Sequence, residues 1–243
     1  MSKCAASVRL VFALGACEDC GVRRLCLAAA MDDETLAFLG RIVKHRGPLA
    51  KGAFIFRAGA PFRSLYALQS GAAKSYGITR NGEEQITGFH LTGELVGMDA
   101  IGAAQHTSSA VALSDNTRVC ELPFAHLRAI AERVPALQDE LLYLLGSALR
   151  RDEDVLMLVR RLRAEERVLS FVRSLCERLS RGCGPLQEVP LPMSREDMAN
   201  YLGLAPETLS RALRRLRDDR LIDVGPRSIR ILDVHARPDA DRA

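Results

Sequence analysis

With 243 residues, 48% of them hydrophobic, the chain is long enough for one large domain or two modest ones with proper cores. A formal net charge of only +4 excludes a polycation, and no stretch approaches the ~20 consecutive apolar residues of a membrane span. Seven cysteines, an odd number without the spacing of a disulfide framework, argue against a small secreted scaffold and for metal or redox chemistry in a reducing cytoplasm.

Residues 1–30 form a cysteine-rich lead-in. Lys3, Arg9 and the apolar run Leu10–Leu14 ahead of Cys17 imitate a secretion signal ending at a lipid-modified cysteine, but the run is short and Arg9 lies immediately before it. Three cysteines follow the pattern Cys17-x2-Cys20-x5-Cys26. Asp32 to Lys44 reads as a short helix with Asp32 or Asp33 as N-cap and Leu36, Leu39, Ile42 and Val43 on one face.

From Gly47 to Pro123 short apolar runs are punctuated by Gly, Pro and Asn: Ala53–Phe56, Ser64–Leu68, Ala72–Ile78, Gln85–Phe89, Ala110–Leu113 and Arg118–Leu122. Asn81-Gly82 predicts a hairpin, because both residues tolerate positive φ. Short strands at near-regular spacing predict a β-sandwich or β-roll across residues 31–134. Cys120 falls within the last of these strands.

A long helix is predicted over residues 135–163. Leu142, Leu145, Leu149 and Leu156 follow the alternating three- and four-residue steps of a two-stranded coiled coil, so the chain is expected to form a homodimer. Asp152 occupies the seam position between Leu149 and Leu156, where carboxylates from two subunits would repel across the two-fold.

Residues 164–235 read as a winged helix-turn-helix, followed by a tail at 236–243. Ser194 and Asp197 predict a capping box, Gly203 breaks the first helix, and Pro206 opens a second that runs to Asp219. Leu209, Leu213 and Leu216 would face inward, leaving Glu207, Ser210, Arg211 and Arg214 outward near the end that reaches base edges. Arg211 suits guanine and Glu207 a cytosine amino group, while Arg215 and Arg217 suit phosphates. Between Arg160 and Arg230 there are 15 Arg and no Lys against 10 Asp and Glu, an excess that fits a nucleic-acid-binding half.

Asn200-Tyr201-Leu202-Gly203-Leu204 followed by Glu207-Thr208-Leu209-Ser210-Arg211 resembles the cyclic-AMP receptor protein superfamily, and the Glu-Thr-x-Ser-Arg string resembles its fumarate–nitrate reduction regulator (FNR) branch. The resemblance implies an α+β fold: a β-roll sensor domain like those that bind cyclic nucleotides, a dimerisation helix and a winged helix-turn-helix. It implies that Glu207, Ser210 and Arg211 read TTGAT-type half-sites arranged as an inverted repeat. It also implies that the Thr79–Glu84 hairpin touches RNA polymerase.

Cyclic-nucleotide binders of the superfamily pair a Gly-Glu-Leu segment with an Arg-Ser/Thr pair that holds the phosphate. This chain has Gly93-Glu94-Leu95, but the matching segment Gln105–Ala110 offers no arginine, so no cyclic nucleotide is expected and Glu94 reads as structural. Four cysteines can instead hold a [4Fe–4S] cluster, one thiolate per iron, although spacing alone leaves zinc or a thiol switch open. The FNR likeness implies the cluster, with Cys17, Cys20, Cys26 and Cys120 as ligands. Cys4, Cys176 and Cys183 match no ligand position. The expectation is an oxygen-responsive DNA-binding regulator and not an enzyme. The rival from another class, a redox or metal-storage protein, would leave the helix-turn-helix without a purpose.

Overall fold

The computed structural model describes Cys17 and residues 20–161, 163–183 and 188–232. The signal-like run, Cys4 and the C-terminal tail lie outside the described residues. The chain divides into two compact units that meet in sequence between Ser147 and Ala148.

In the first unit, α1 (Asp33–Ile42) starts where the Asp32 carboxylate accepts the Thr35 N–H at 2.8 Å, and it buries Leu36 and Leu39. The helix stops two residues earlier than the apolar pattern suggests. Val43 turns extended, and Lys44 opens a strand, β1 (Lys44–Leu49), whose backbone pairs with β8 (Thr117–Pro123). That pairing wins over helical continuation.

The remaining strands are β2 (Phe54–Phe56), β3 (Ser64–Ser70), β4 (Ala73–Ile78), β5 (Glu84–His90), β6 (Leu95–Val96) and β7 (Ser109–Ala112). They form two four-stranded sheets, ordered β1-β8-β3-β6 and β2-β7-β4-β5. The β4–β5 hairpin forms at Asn81-Gly82, but only Gly82 takes positive φ (82°). The loop closes from Thr79 to Glu83, with the Thr79 N–H donating to the Glu83 carbonyl, so Asn81 needs no left-handed conformation.

Because side chains alternate along a strand, β3 explains the whole arrangement. Tyr66 and Leu68 point into the core between the sheets, beside Phe56, Ala110 and Val119. Leu65 and Ala67 point the other way, into a second core with Leu27, Met31, Leu36 and Leu39. Buried on both faces, β3 reads as one continuous apolar run. The second core also takes in Leu127 and Ile130 of α2 (Phe124–Ala131) and Leu137, Leu141 and Leu144 of α3 (Pro135–Arg161).

The second unit holds α4 (Ala164–Cys183), β9 (Glu188–Pro190), α5 (Arg195–Leu202), α6 (Pro206–Asp218), β10 (Ile222–Val224) and β11 (Ser228–Ile231). Ser194 and Asp197 form the capping box of α5, and Gly203 ends it at φ 62°. Arg167 of α4 donates to the terminal Leu202 carbonyl at 3.2 Å, satisfying a group the helix leaves open. The wing has three strands, ordered β10-β11-β9. Cys176 is buried on α4 and serves as a small core residue.

Candidate cysteine cavity and DNA-reading helix

Cys17, Cys20, Cys26 and Cys120 line one cavity in the first unit, walled by Val22, Leu27, Leu39, Val43 and Leu122. Three come from a segment that coils in short turns: Arg23 N–H donates to the Cys20 carbonyl at 2.9 Å, and Cys26 N–H to the Val22 carbonyl at 3.2 Å. Val22, Leu27, Ala28 and Met31 anchor this segment by burial. Arg23 ties it down further through the Met31 carbonyl and the Asp33 carboxylate, at 3.3 and 3.1 Å. Cys120 arrives from β8, on the face opposite Val119, so strand alternation aims it at the cysteine-rich segment.

None of these cysteines is in a disulfide. The Cys26 and Cys120 thiols are each pushed up to about 12. Burial is the main cause in both cases, and the neighbouring cysteines add to it by like-charge repulsion. An Ala28 N–H reaching the Cys26 sulfur at 3.4 Å opposes the shift without overcoming it. The sulfurs therefore need a cationic centre if several are to be thiolates together. Among the described residues, no group of three or more His, Cys, Asp or Glu side chains is gathered closely enough to hold a metal ion, while the four cysteines line the cavity together. Four sulfur donors around an apolar cavity fit a multi-iron centre held one thiolate per iron.

Gly93 shows how closely its turn packs on the cysteine-rich segment. At φ 90° it approaches the cysteine-rich segment so nearly that an added Cβ would lie 2.5 Å from Leu25 Cβ and 2.9 Å from the Leu25 carbonyl. Gly93→Ala is expected to cost about 1–3 kcal/mol through the left-handed backbone, with Leu25 displaced as well. The shift in urea midpoint checks this; an unchanged midpoint would mean that the segment does not rest on Gly93.

In the second unit, Leu209, Leu213 and Leu216 are buried, and Glu207, Ser210, Arg211 and Arg214 are exposed on the other side of α6. Ser210 Oγ donates to the Pro206 carbonyl at 2.9 Å. The Arg215 guanidinium pairs with Glu165 of α4 at 2.9 Å and stays largely exposed. Arg217 pairs more loosely with Asp218, at 3.4 Å. On α3, Leu142, Leu149 and Leu156 recur every seven residues and are 60, 61 and 56% exposed. Leu145 is half-buried and Asp152 exposed. Local desolvation, opposed by Arg151, holds the Asp152 carboxyl above its ordinary value.

Residues 47–134 match the family model of the cyclic nucleotide-binding domain, and residues 166–236 that of the Crp-like helix-turn-helix domain. The chain is 41% identical over 216 residues to the fumarate and nitrate reduction regulatory proteins of Salmonella typhimurium and Escherichia coli (strain K12), a match covering 88% of this chain and 86% of each relative. This chain belongs to the FNR family of transcription regulators. Among solved structures, FixK2 from Bradyrhizobium japonicum matches this FNR-family chain with TM-score 0.67 and 29% identity, over 80% of this chain and 98% of that one. Among the described residues, no helix is long and apolar enough to cross a membrane.

In this FNR-type chain the segment between β6 and β7 is tied together by its own side chains. Asp99 Oδ2 accepts four hydrogen bonds, from the backbone N–H and hydroxyl of Thr107 and of Ser108, at 2.9–3.1 Å. Burial works to raise the Asp99 carboxyl, but these donors outweigh it and hold the group below its ordinary value. Glu94 accepts the Leu91 N–H at 2.9 Å, a turn-closing contact. These Asp99 contacts were not legible in the sequence, since the partners lie across a loop with no recognisable spacing.

Proposed function

We propose that this FNR-family regulator holds a [4Fe–4S] cluster on Cys17, Cys20, Cys26 and Cys120, dimerises through α3 when loaded, and reads inverted-repeat DNA with TTGAT-type half-sites under low oxygen. One observation carries the reading: four cysteines drawn from two distant stretches of chain line a single apolar cavity. The bound cluster would supply an oxygen-labile centre.

The chain's own residues supply the coupling. Cys17, Leu27 and Met31 share one hydrophobic core with Leu137, Leu141 and Leu144 of α3, so ordering of the cysteine-rich segment bears directly on the start of that helix. Leu142, Leu145, Leu149 and Leu156 offer a heptad seam to a second copy of the chain. Asp152 in that seam keeps the unloaded dimer marginal, so that modest stabilisation at the sensor end shifts the balance. Cyclic nucleotides are not the signal in this account. The Thr107 and Ser108 donors are already taken by a carboxylate, which would also repel a phosphate.

On the DNA, Glu207, Ser210, Arg211 and Arg214 face the major groove, with Arg211 donating two hydrogen bonds to one guanine. The exposed Thr79–Glu84 hairpin is the proposed contact for RNA polymerase, by family likeness. Titrations of a labelled inverted-repeat duplex, without air and after air, test the reading; equal affinity in both would sink the oxygen dependence. Arg211→Ala is expected to lose about 1–3 kcal/mol of discrimination at one base pair per half-site. Uniform weakening across all single-base variants of the duplex would instead make Arg211 a phosphate contact.

A further inference from the structure

The exposed edge of the cysteine cavity carries a residue that the ligand set leaves out. β1 and β8 are antiparallel, and His45 lies directly opposite Cys120 in the register. Directly opposed residues on neighbouring strands share a face and bring their Cβ atoms close. Ala67 of β3 flanks Cys120 on the other side and offers no polar atom. His45 Nδ1 stands 3.5 Å from Cys120 Sγ, within reach of an imidazole N–H, and the residue lines the cavity while remaining exposed.

We propose that His45 is a positioning residue for the cysteine-held centre: its Nδ1–H donates a hydrogen bond to the Cys120 thiolate and so tunes the stability of the bound cluster. The inference rests on the cluster reading above and adds a residue to it. The physical reason is charge. A hydrogen bond to a ligating sulfur withdraws electron density from the iron–thiolate bond and favours the more reduced, more negative state of the cluster. Such a bond is charge-assisted, but water competes for an exposed imidazole, which keeps the effect near about tenfold in the redox equilibrium. For a one-electron couple, tenfold corresponds to about 59 mV.

β1 is an edge strand and His45 is exposed on it, so this side chain can be exchanged without disturbing the cores. His45→Leu keeps bulk at the cavity edge and removes the donor; His45→Asn keeps a short-reaching N–H and removes the ring. Full-length protein is assembled without air, iron and sulfide are counted, and the midpoint potential is read by spectroscopic redox titration at one pH alongside the half-life of visible absorption in air. His45→Leu is expected to lower the potential by about 59 mV and to shorten the half-life in air several-fold, with His45→Asn close to the parent protein. Unshifted potentials in both variants at full iron content would overturn the inference while leaving the cluster reading intact. A shift in His45→Asn but not in His45→Leu would overturn it too, making His45 a steric wall. Absence of iron from the parent protein, measured before any variant, would remove the cluster reading and this inference with it.

Discussion

Cys120→Ala is expected to abolish cluster loading, leaving fewer than about one iron per chain where the parent protein binds about four. The fold should survive, because alanine fits the half-buried strand position and a single substitution of this kind costs about 1 kcal/mol. Without the centre the protein should run as a monomer on size exclusion. Loss of two-site engagement should weaken binding to an inverted repeat by about a hundredfold or more. Cys176→Ala is the matched control: that cysteine is buried on α4 and lines no part of the cavity, so iron content should not change. Normal iron content in Cys120→Ala would remove it from the ligand set.

The second large effect lies on α3. Asp152→Ala is expected to produce a dimer that binds DNA in air, independent of iron. Two carboxylates a few ångströms apart repel by about 1–4 kcal/mol between a bulk-water and a surface-like dielectric, which is about fivefold to nearly a thousandfold in the dimerisation constant. The parent protein should show a related pH trend. Since partial desolvation, opposed by Arg151, raises the Asp152 carboxyl, it takes up a proton at higher pH than an ordinary aspartate. Protonation removes the repulsion, so cluster-free self-association should strengthen as pH falls through the carboxylate range and weaken as pH rises. Sedimentation velocity reads both effects. If Asp152→Ala remains monomeric without iron, the repulsion account fails.

Local chemistry decided which features could be read from the sequence. The helix-turn-helix was legible because each signal is self-contained: the Ser194–Asp197 capping box, Gly203 in left-handed conformation, Pro206 at the first turn, and leucines on one face of α6. β3 was legible as an apolar run, though not the reason for it, which is a core on either side of one sheet. β1 was missed because it is a charged edge strand containing Gly47-Pro48, so its pairing with β8 outweighs a pattern that looks like a helix tail. β6 and β9 are two and three residues long, too short to carry periodicity. At the cysteine cavity, the residue types and the strand position of Cys120 could be read directly. The His45–Cys120 pairing is a matter of register between strands 75 residues apart, and the Arg215–Glu165 ion pair joins helices 50 residues apart. Neither follows from spacing along the chain.

The most direct test of the central claim is iron, sulfide and zinc content, with a visible spectrum, on full-length protein purified without air and then exposed to it. The account predicts about four irons and four sulfides per chain, and a broad visible absorption that collapses in air with loss of DNA binding. Stoichiometric zinc, or colourless protein whose DNA binding ignores oxygen, would contradict it and leave only the DNA-reading half in place.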